Sequence, residues 1–143
     1  LIINMASMAG HLPSPFMTSY AASKSAIVGF TRSLQTELRL AASPVRVCLV
    51  CPGFIDTPIM KLRGVEFPRW LRWIIRAPEP TACEIIRKAL AGHDDIYPDF
   101  SGRLMKRLYR WAPGLTTCGS RLLLAQNLAE LFGRAPIAIS RKT

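Results

Sequence analysis

The chain opens on an apolar run, Leu1-Ile2-Ile3, and the period of its apolar positions then changes along its length. Leu1 to Ala6 is short, apolar and followed by small residues, which predicts a buried strand. Gly10, Pro13 and Pro15 break the stretch from Ser7 to Ser19 into a loop. From about Tyr20 to Leu40 the apolar positions Ala26, Ile27, Phe30, Leu34 and Leu38 recur at helical spacing, with Thr18 or Ser19 available as a cap. Ser43-Pro44 ends that helix. Val45 to Cys51 is apolar except for Arg46, as expected of a strand covered on both faces in a parallel sheet. Pro52-Gly53 turns the chain, and Thr57-Pro58 has the form of a helix start.

Strand, helix and strand within about fifty residues make one βαβ unit. Ligands in such folds bind beyond the carboxyl ends of the strands. The loops leaving those ends are Ser7 to Ser19 and Pro52 to Thr57, so both should face one crevice. Past Lys61 the pattern loosens. Phe67 to Arg76, Pro80 to Ala91, Arg103 to Trp111 and Arg121 to Phe132 read as helices, with Thr81 as a cap and Gly92 as a stop for the second. Asp95 to Pro98 reads as a short last strand.

Two of these helices are amphipathic and basic. Phe67, Trp70, Leu71, Ile74 and Ile75 share one face, with Arg69, Arg72 and Arg76 on the other. Leu104, Leu108 and Trp111 stand against Arg103, Lys106, Arg107 and Arg110. Basic amphipathic helices with Trp suit a membrane interface. The plainer reading, which we prefer at this point, is an apolar lid over a binding site with a solvated outer face.

Composition narrows this little. Half of the 143 residues are hydrophobic, enough for a packed domain rather than a disordered chain. The net charge of +10 raises nucleic acid and anionic membranes as partners. No nucleic-acid module accompanies it, neither finger-spaced Cys and His nor an aromatic RNA-binding signature, so we expect no nucleic-acid partner. Cys48-Leu49-Val50-Cys51 has the C-x-x-C form, but side chains three apart in a strand point to opposite faces. His11 and His93 form no metal site with them. His11 reads as a solvated loop residue, and Asp94, Asp95 and Asp99 as acidic turn residues without a role. No apolar window is long enough to span a bilayer.

The candidate chemistry lies in the βαβ unit. Tyr20 and Lys24 are one helical turn apart on one face. A phenol is a weak acid, and an ammonium beside it favours the phenolate, as does the positive end of a helix. Ser7, at the exit of the first strand, offers a hydroxyl to an oxygen on which charge develops. In purely structural terms the same residues are an interfacial aromatic, a solvated lysine and a capping hydroxyl.

Asn4-Met5-Ala6-Ser7-Met8-Ala9-Gly10 resembles the N-x-x-S-x-x-G segment of short-chain dehydrogenases/reductases. Tyr20-Ala21-Ala22-Ser23-Lys24 resembles their Y-x-x-x-K motif, and Pro52-Gly53-Phe54-Ile55-Asp56-Thr57 their P-G-x-x-x-T loop. The resemblance covers about Leu1 to Met60. It implies an α/β fold: the C-terminal half of a Rossmann-like, doubly wound parallel sheet with a helical C-terminal extension. Residues 1–60 would be the catalytic portion and 61–143 the substrate lid and C-terminal helices of the same domain. By resemblance Ser7, Tyr20 and Lys24 are catalytic, and Tyr20, Lys24, Pro52, Gly53, Ile55 and Thr57 border the nicotinamide of NAD or NADP; no metal is implied. Asn4 would be structural.

The expected activity is interconversion of an alcohol and a ketone or aldehyde. A small lipophilic molecule is the expected substrate: a fatty-acyl, steroid, retinoid or terpenoid carbonyl. A cytoplasmic, homo-oligomeric enzyme with peripheral membrane contact completes the expectation. Because the chain opens inside an apolar run and lacks a glycine-rich phosphate loop, it reads as the later half of a longer enzyme, inactive alone. The alternatives are a catalytically inactive relic or binding module, and a basic membrane-binding protein.

Overall fold

The computed structural model describes residues 1–14, 17–58, 69–112 and 114. Three parallel strands form one sheet in the order β1-β2-β3: β1 is Ile2–Met5, β2 is Val47–Val50 and β3 is Asp95–Ile96. Ile2 stands beside Val47 and Met5 beside Val50, while Leu49 and Val50 stand beside Asp95 and Ile96. Helix α1, Thr18–Leu40, joins β1 to β2; helix α2, Pro78–Leu90, precedes β3; helix α3, Phe100–Trp111, follows it.

The central strand β2 is buried along its whole length. Its side chains alternate between two cores, as pleating demands. Leu49 and Cys51 pack with Ala6, Met8 and Val28 of α1. Cys48 and Val50 pack with Ile96 and with Ile85 and Ala89 of α2. A helix therefore covers each face, which makes the sheet doubly wound as the apolar run of β2 predicts. The two cysteines lie in different cores and cannot act as a pair. Burial raises both thiols to about 11, so they remain protonated.

Helix α1 shows where spacing misleads. Phe30, counted among its core positions, is 63% exposed. The buried stripe instead passes through Val28, Thr31 and Gln35. Both polar members are satisfied: Thr31 Oγ1 donates to Ile27 O at 2.7 Å and accepts from Asn4 Nδ2 at 3.0 Å. Gln35 Nε2 donates to Val47 O and to Asp94 O, each at 3.0 Å, tying the helix to β2 and to the approach to β3. Asn4 is thus structural, as the resemblance implies. The N-cap is Met17, without a side-chain bond, rather than Thr18 or Ser19. At the other end Ala42 takes a φ of 47°, the left-handed turn that usually selects glycine.

Helix α2 starts at Pro78, with Pro at its first position, so Thr81 is inside it rather than its cap. Buried Thr81 donates to Ala77 O at 2.7 Å. Gly92 follows the helix with a φ of 93°, as a stop should. Within the predicted 67–76 helix, Arg69–Ile74 is a 3-10 turn, and Arg76 turns inward onto Glu84 at 2.9 Å instead of facing solvent. Pro58 is helical; the expected helix Arg121 to Phe132 lies outside the described residues. No described helix is long and apolar enough to cross a membrane.

Candidate active site

The site forms where β1 and β2 end. Met8 N donates to Pro52 O at 2.9 Å, so the loops leaving the two strands are joined, and they share one edge of the sheet. Ser7 stands at the head of a 3-10 turn, Met8–Gly10, where its Oγ accepts from Ala9 N at 3.2 Å. A hydroxyl that accepts still has its own proton to give. Gly10 sits tight against α1: a Cβ there would meet Lys24 O at 2.8 Å. That close approach brings the Ser7 turn against the first turns of α1.

Lys24 connects the pieces. Its Nζ donates to Met5 O at 3.0 Å, at the last residue of β1 and two positions before Ser7. The same ammonium lies 5.7 Å from the centre of the Tyr20 ring. The Tyr20 side is open to solvent, the residue being 36% exposed. Tyr20 and Lys24 are therefore side by side, and Ser7 follows the strand end that Lys24 grips.

The loop after β2 is held from outside. Asp56 N donates to Arg76 O at 2.9 Å and Arg76 N to Phe54 O at 3.0 Å, a short parallel bridge beneath Ile55. Asp99, 2% exposed, accepts from Gly53 N at 2.8 Å through Oδ1 and from Gly102 N through Oδ2. A Cβ at Gly53 or at Gly102 would meet Asp99 Oδ2 at 2.5 Å, so both positions are glycine because the carboxylate lies against them. Asp99, read from sequence as a turn residue without a role, is the N-cap of α3 and the anchor of the Pro52–Thr57 loop.

His11 also departs from expectation. It is half-buried, with Nε2 3.5 Å from Cys51 Sγ and 3.3 Å from Tyr97 Oη. Burial first, then the charges of Lys106 and Arg32, lower its pKa to about 4. Lys106 donates to Tyr97 Oη and lies 4.1 Å from the ring centre. Burial, together with Cys51 and Asp95, raises Tyr97 to about 12. These contacts join residues up to 86 positions apart, and no local pattern signals them. Asp94 and Asp95 pair with Arg39 and Arg32, at 2.5 and 2.7 Å. Among the described residues no group of His, Cys, Asp or Glu could hold a metal.

A groove of about 570 Å³ lies beside the Tyr20–Lys24 pair rather than over it. Gly10, Leu12, Pro13, Ala21 and, from α3, Tyr109 are among its walls.

A doubly wound parallel sheet with polar groups gathered at its carboxyl edge defines the Rossmann-like class of α/β proteins. Residues 1–65 match the family described as short chain dehydrogenase. The 15-hydroxyprostaglandin dehydrogenase [NAD(+)] of Mus musculus is 49% identical over 61 residues, 43% of this chain and 23% of that protein. Hydroxysteroid 11-beta-dehydrogenase 1-like protein A of Xenopus laevis is 34% identical over 116 residues, 80% of this chain and 38% of that protein. A short chain dehydrogenase from Burkholderia cenocepacia J2315, solved in complex with NADP, superposes with a TM-score of 0.63 at 31% identity. That match covers 85% of this chain and 46% of the other. The chain thus spans less than half the length of these relatives, which it resembles in sequence over its first 65 residues and in fold.

Proposed function

We propose that the protein is an NAD(P)-dependent oxidoreductase interconverting an alcohol and a ketone or aldehyde, with Ser7, Tyr20 and Lys24 as its catalytic residues. The observation that carries this reading is the Lys24 ammonium, gripping the end of β1 while standing 5.7 Å from the Tyr20 ring. In alcohol oxidation Tyr20 Oη takes the hydroxyl proton, and in carbonyl reduction it returns it. The Lys24 ammonium stands beside the ring that exchanges this proton. Ser7 Oγ donates to the substrate oxygen and steadies its developing charge. The bound dinucleotide supplies the two-electron acceptor or donor.

Lys24 at the end of β1 and Thr57 in the loop after β2 would offer an ammonium and a hydroxyl to the ribose hydroxyls and carboxamide of such a cofactor. Tyr20, Lys24, Pro52, Gly53, Ile55 and Thr57 would border it. The 143 residues hold no glycine-rich turn for the pyrophosphate.

The substrate is lipophilic in this reading. Support comes from the largely apolar groove beside the pair and from relatives named for prostaglandin and hydroxysteroid substrates. Pairing of two copies and a peripheral membrane contact complete it.

The test is to follow reduced-nicotinamide absorbance with panels of lipophilic secondary alcohols, using the protein as it occurs in the cell. Tyr20→Phe should lower turnover by roughly 10²–10⁴-fold, while saturation-transfer NMR still detects nicotinamide mononucleotide. Near-normal turnover by that variant would remove Tyr20 from the mechanism.

A further inference from the structure

Helix α3 packs with the unexpected side inward. Gly102 closes on Asp99 and lies against the Met8 side chain, Lys106 turns in to Tyr97, and Tyr109 lines the groove. Its apolar stripe points to solvent instead: Phe100 is 64% exposed, Leu104 43%, Leu108 40% and Trp111 80%. A surface helix normally lays such a stripe on the core. Here the inward face carries Gly102, Lys106 and Tyr109, and the apolar stripe is turned to solvent. Arg103, Arg107 and Arg110, all exposed, form a row along one side of it.

We propose that α3 is an interfacial docking helix for an anionic phospholipid surface. Phe100, Leu104, Leu108 and Trp111 enter the boundary between headgroups and acyl chains, and the three arginines bind lipid phosphates. Charge complementarity selects this partner: the arginine row borders the stripe, and the whole chain carries +10. Trp at the end of the stripe suits the interface. This deepens, and rests on, the peripheral contact proposed above, and it adds a route for substrate. Tyr109 borders the groove while its neighbour Leu108 faces outward, so docking through α3 sets the groove beside the bilayer that holds a lipophilic alcohol.

The test is co-sedimentation of the purified protein with vesicles of phosphatidylcholine alone, or mixed with phosphatidylserine at about three to one. Retention should appear on the mixed vesicles only and weaken with salt. A variant with Phe100, Leu104, Leu108 and Trp111 all changed to Ser, and another with Arg103→Glu, Arg107→Glu and Arg110→Glu, should each lose at least ~10-fold of it. Because these side chains are exposed, both variants should keep the wild-type circular dichroism. A wild-type protein that does not sediment, or both variants binding as well as it does, overturns the proposal. So does a dimer, seen by analytical ultracentrifugation, that the Ser variant alone dissolves, since a second copy would then occupy the stripe. Binding is measured without dinucleotide or alcohol, and Tyr20→Phe should bind vesicles normally. Failure of the docking helix is thereby separated from failure of the catalytic reading.

Discussion

His11 is the residue whose neighbours change its chemistry most. Held neutral against Cys51 and Tyr97, with Lys106 and Arg32 opposing a positive charge and Asp95 weakly favouring one, it titrates near 4 rather than 6.5. Between those values the unfolded chain binds a proton that the folded chain refuses. Stability therefore falls as pH drops from 6.5 to 4 and is unaffected by this group above that window. The loss should be about 2 kcal/mol once solvent screening is allowed for. Thermal melts of wild type and His11→Asn across that range check it: the variant should show the shallower acid limb. Glu84, lowered chiefly by its bond from Lys88 and also by Arg76, adds an acid loss of its own that both proteins share. Ser7, Tyr20 and Lys24 stand out as candidates by residue type and spacing. His11 does not, because its partners Cys51 and Tyr97 arrive from distant strands.

Among the elements, α3 and the loop after β2 depend on one carboxylate. Asp99 both caps α3 and holds Gly53. Asp99→Ala removes a cap and leaves the half-buried Gly53 amide without this acceptor, which should cost about 2 kcal/mol in urea unfolding. Asp99→Asn keeps one acceptor oxygen and should recover part of the loss. Hydrogen exchange at the Gly53 amide should quicken in the Ala variant. Unchanged exchange there would show that the loop is held by other contacts. The strands were legible because an uninterrupted apolar run such as β2 has few other meanings. Helix ends were less so. Thr18, Ser19 and Thr81 look like caps, but packing moved the starts to Met17 and Ala77. Periodicity gave α3 two faces and could not say which one turns inward, since Asp99, Tyr97 and the groove decide that.

On the scale of the whole molecule, the sheet is asymmetric. Among the described residues β2 is enclosed, whereas β1 lies at the edge of the three strands, with Ile2 and Met5 exposed. The doubly wound architecture could be inferred from the sequence because β2 is apolar on both faces. The cross-molecule ties Arg32–Asp95 and Gln35–Asp94 could not, since charged and amide residues on a helix suggest only a solvated surface.

The separation of Cys48 and Cys51 into two cores has a practical outcome. Both thiols are shut away and protonated, whereas Cys83 on α2 is open to solvent. With Cys118, which lies outside the described residues, replaced by Ser, a maleimide should modify Cys83 at once and the other two only as each core opens. Because one thiol sits beneath α1 and the other beneath α2, mass spectrometry of the labelled peptides would time the release of each helix from the sheet, making the pair a built-in clock for how this protein comes apart.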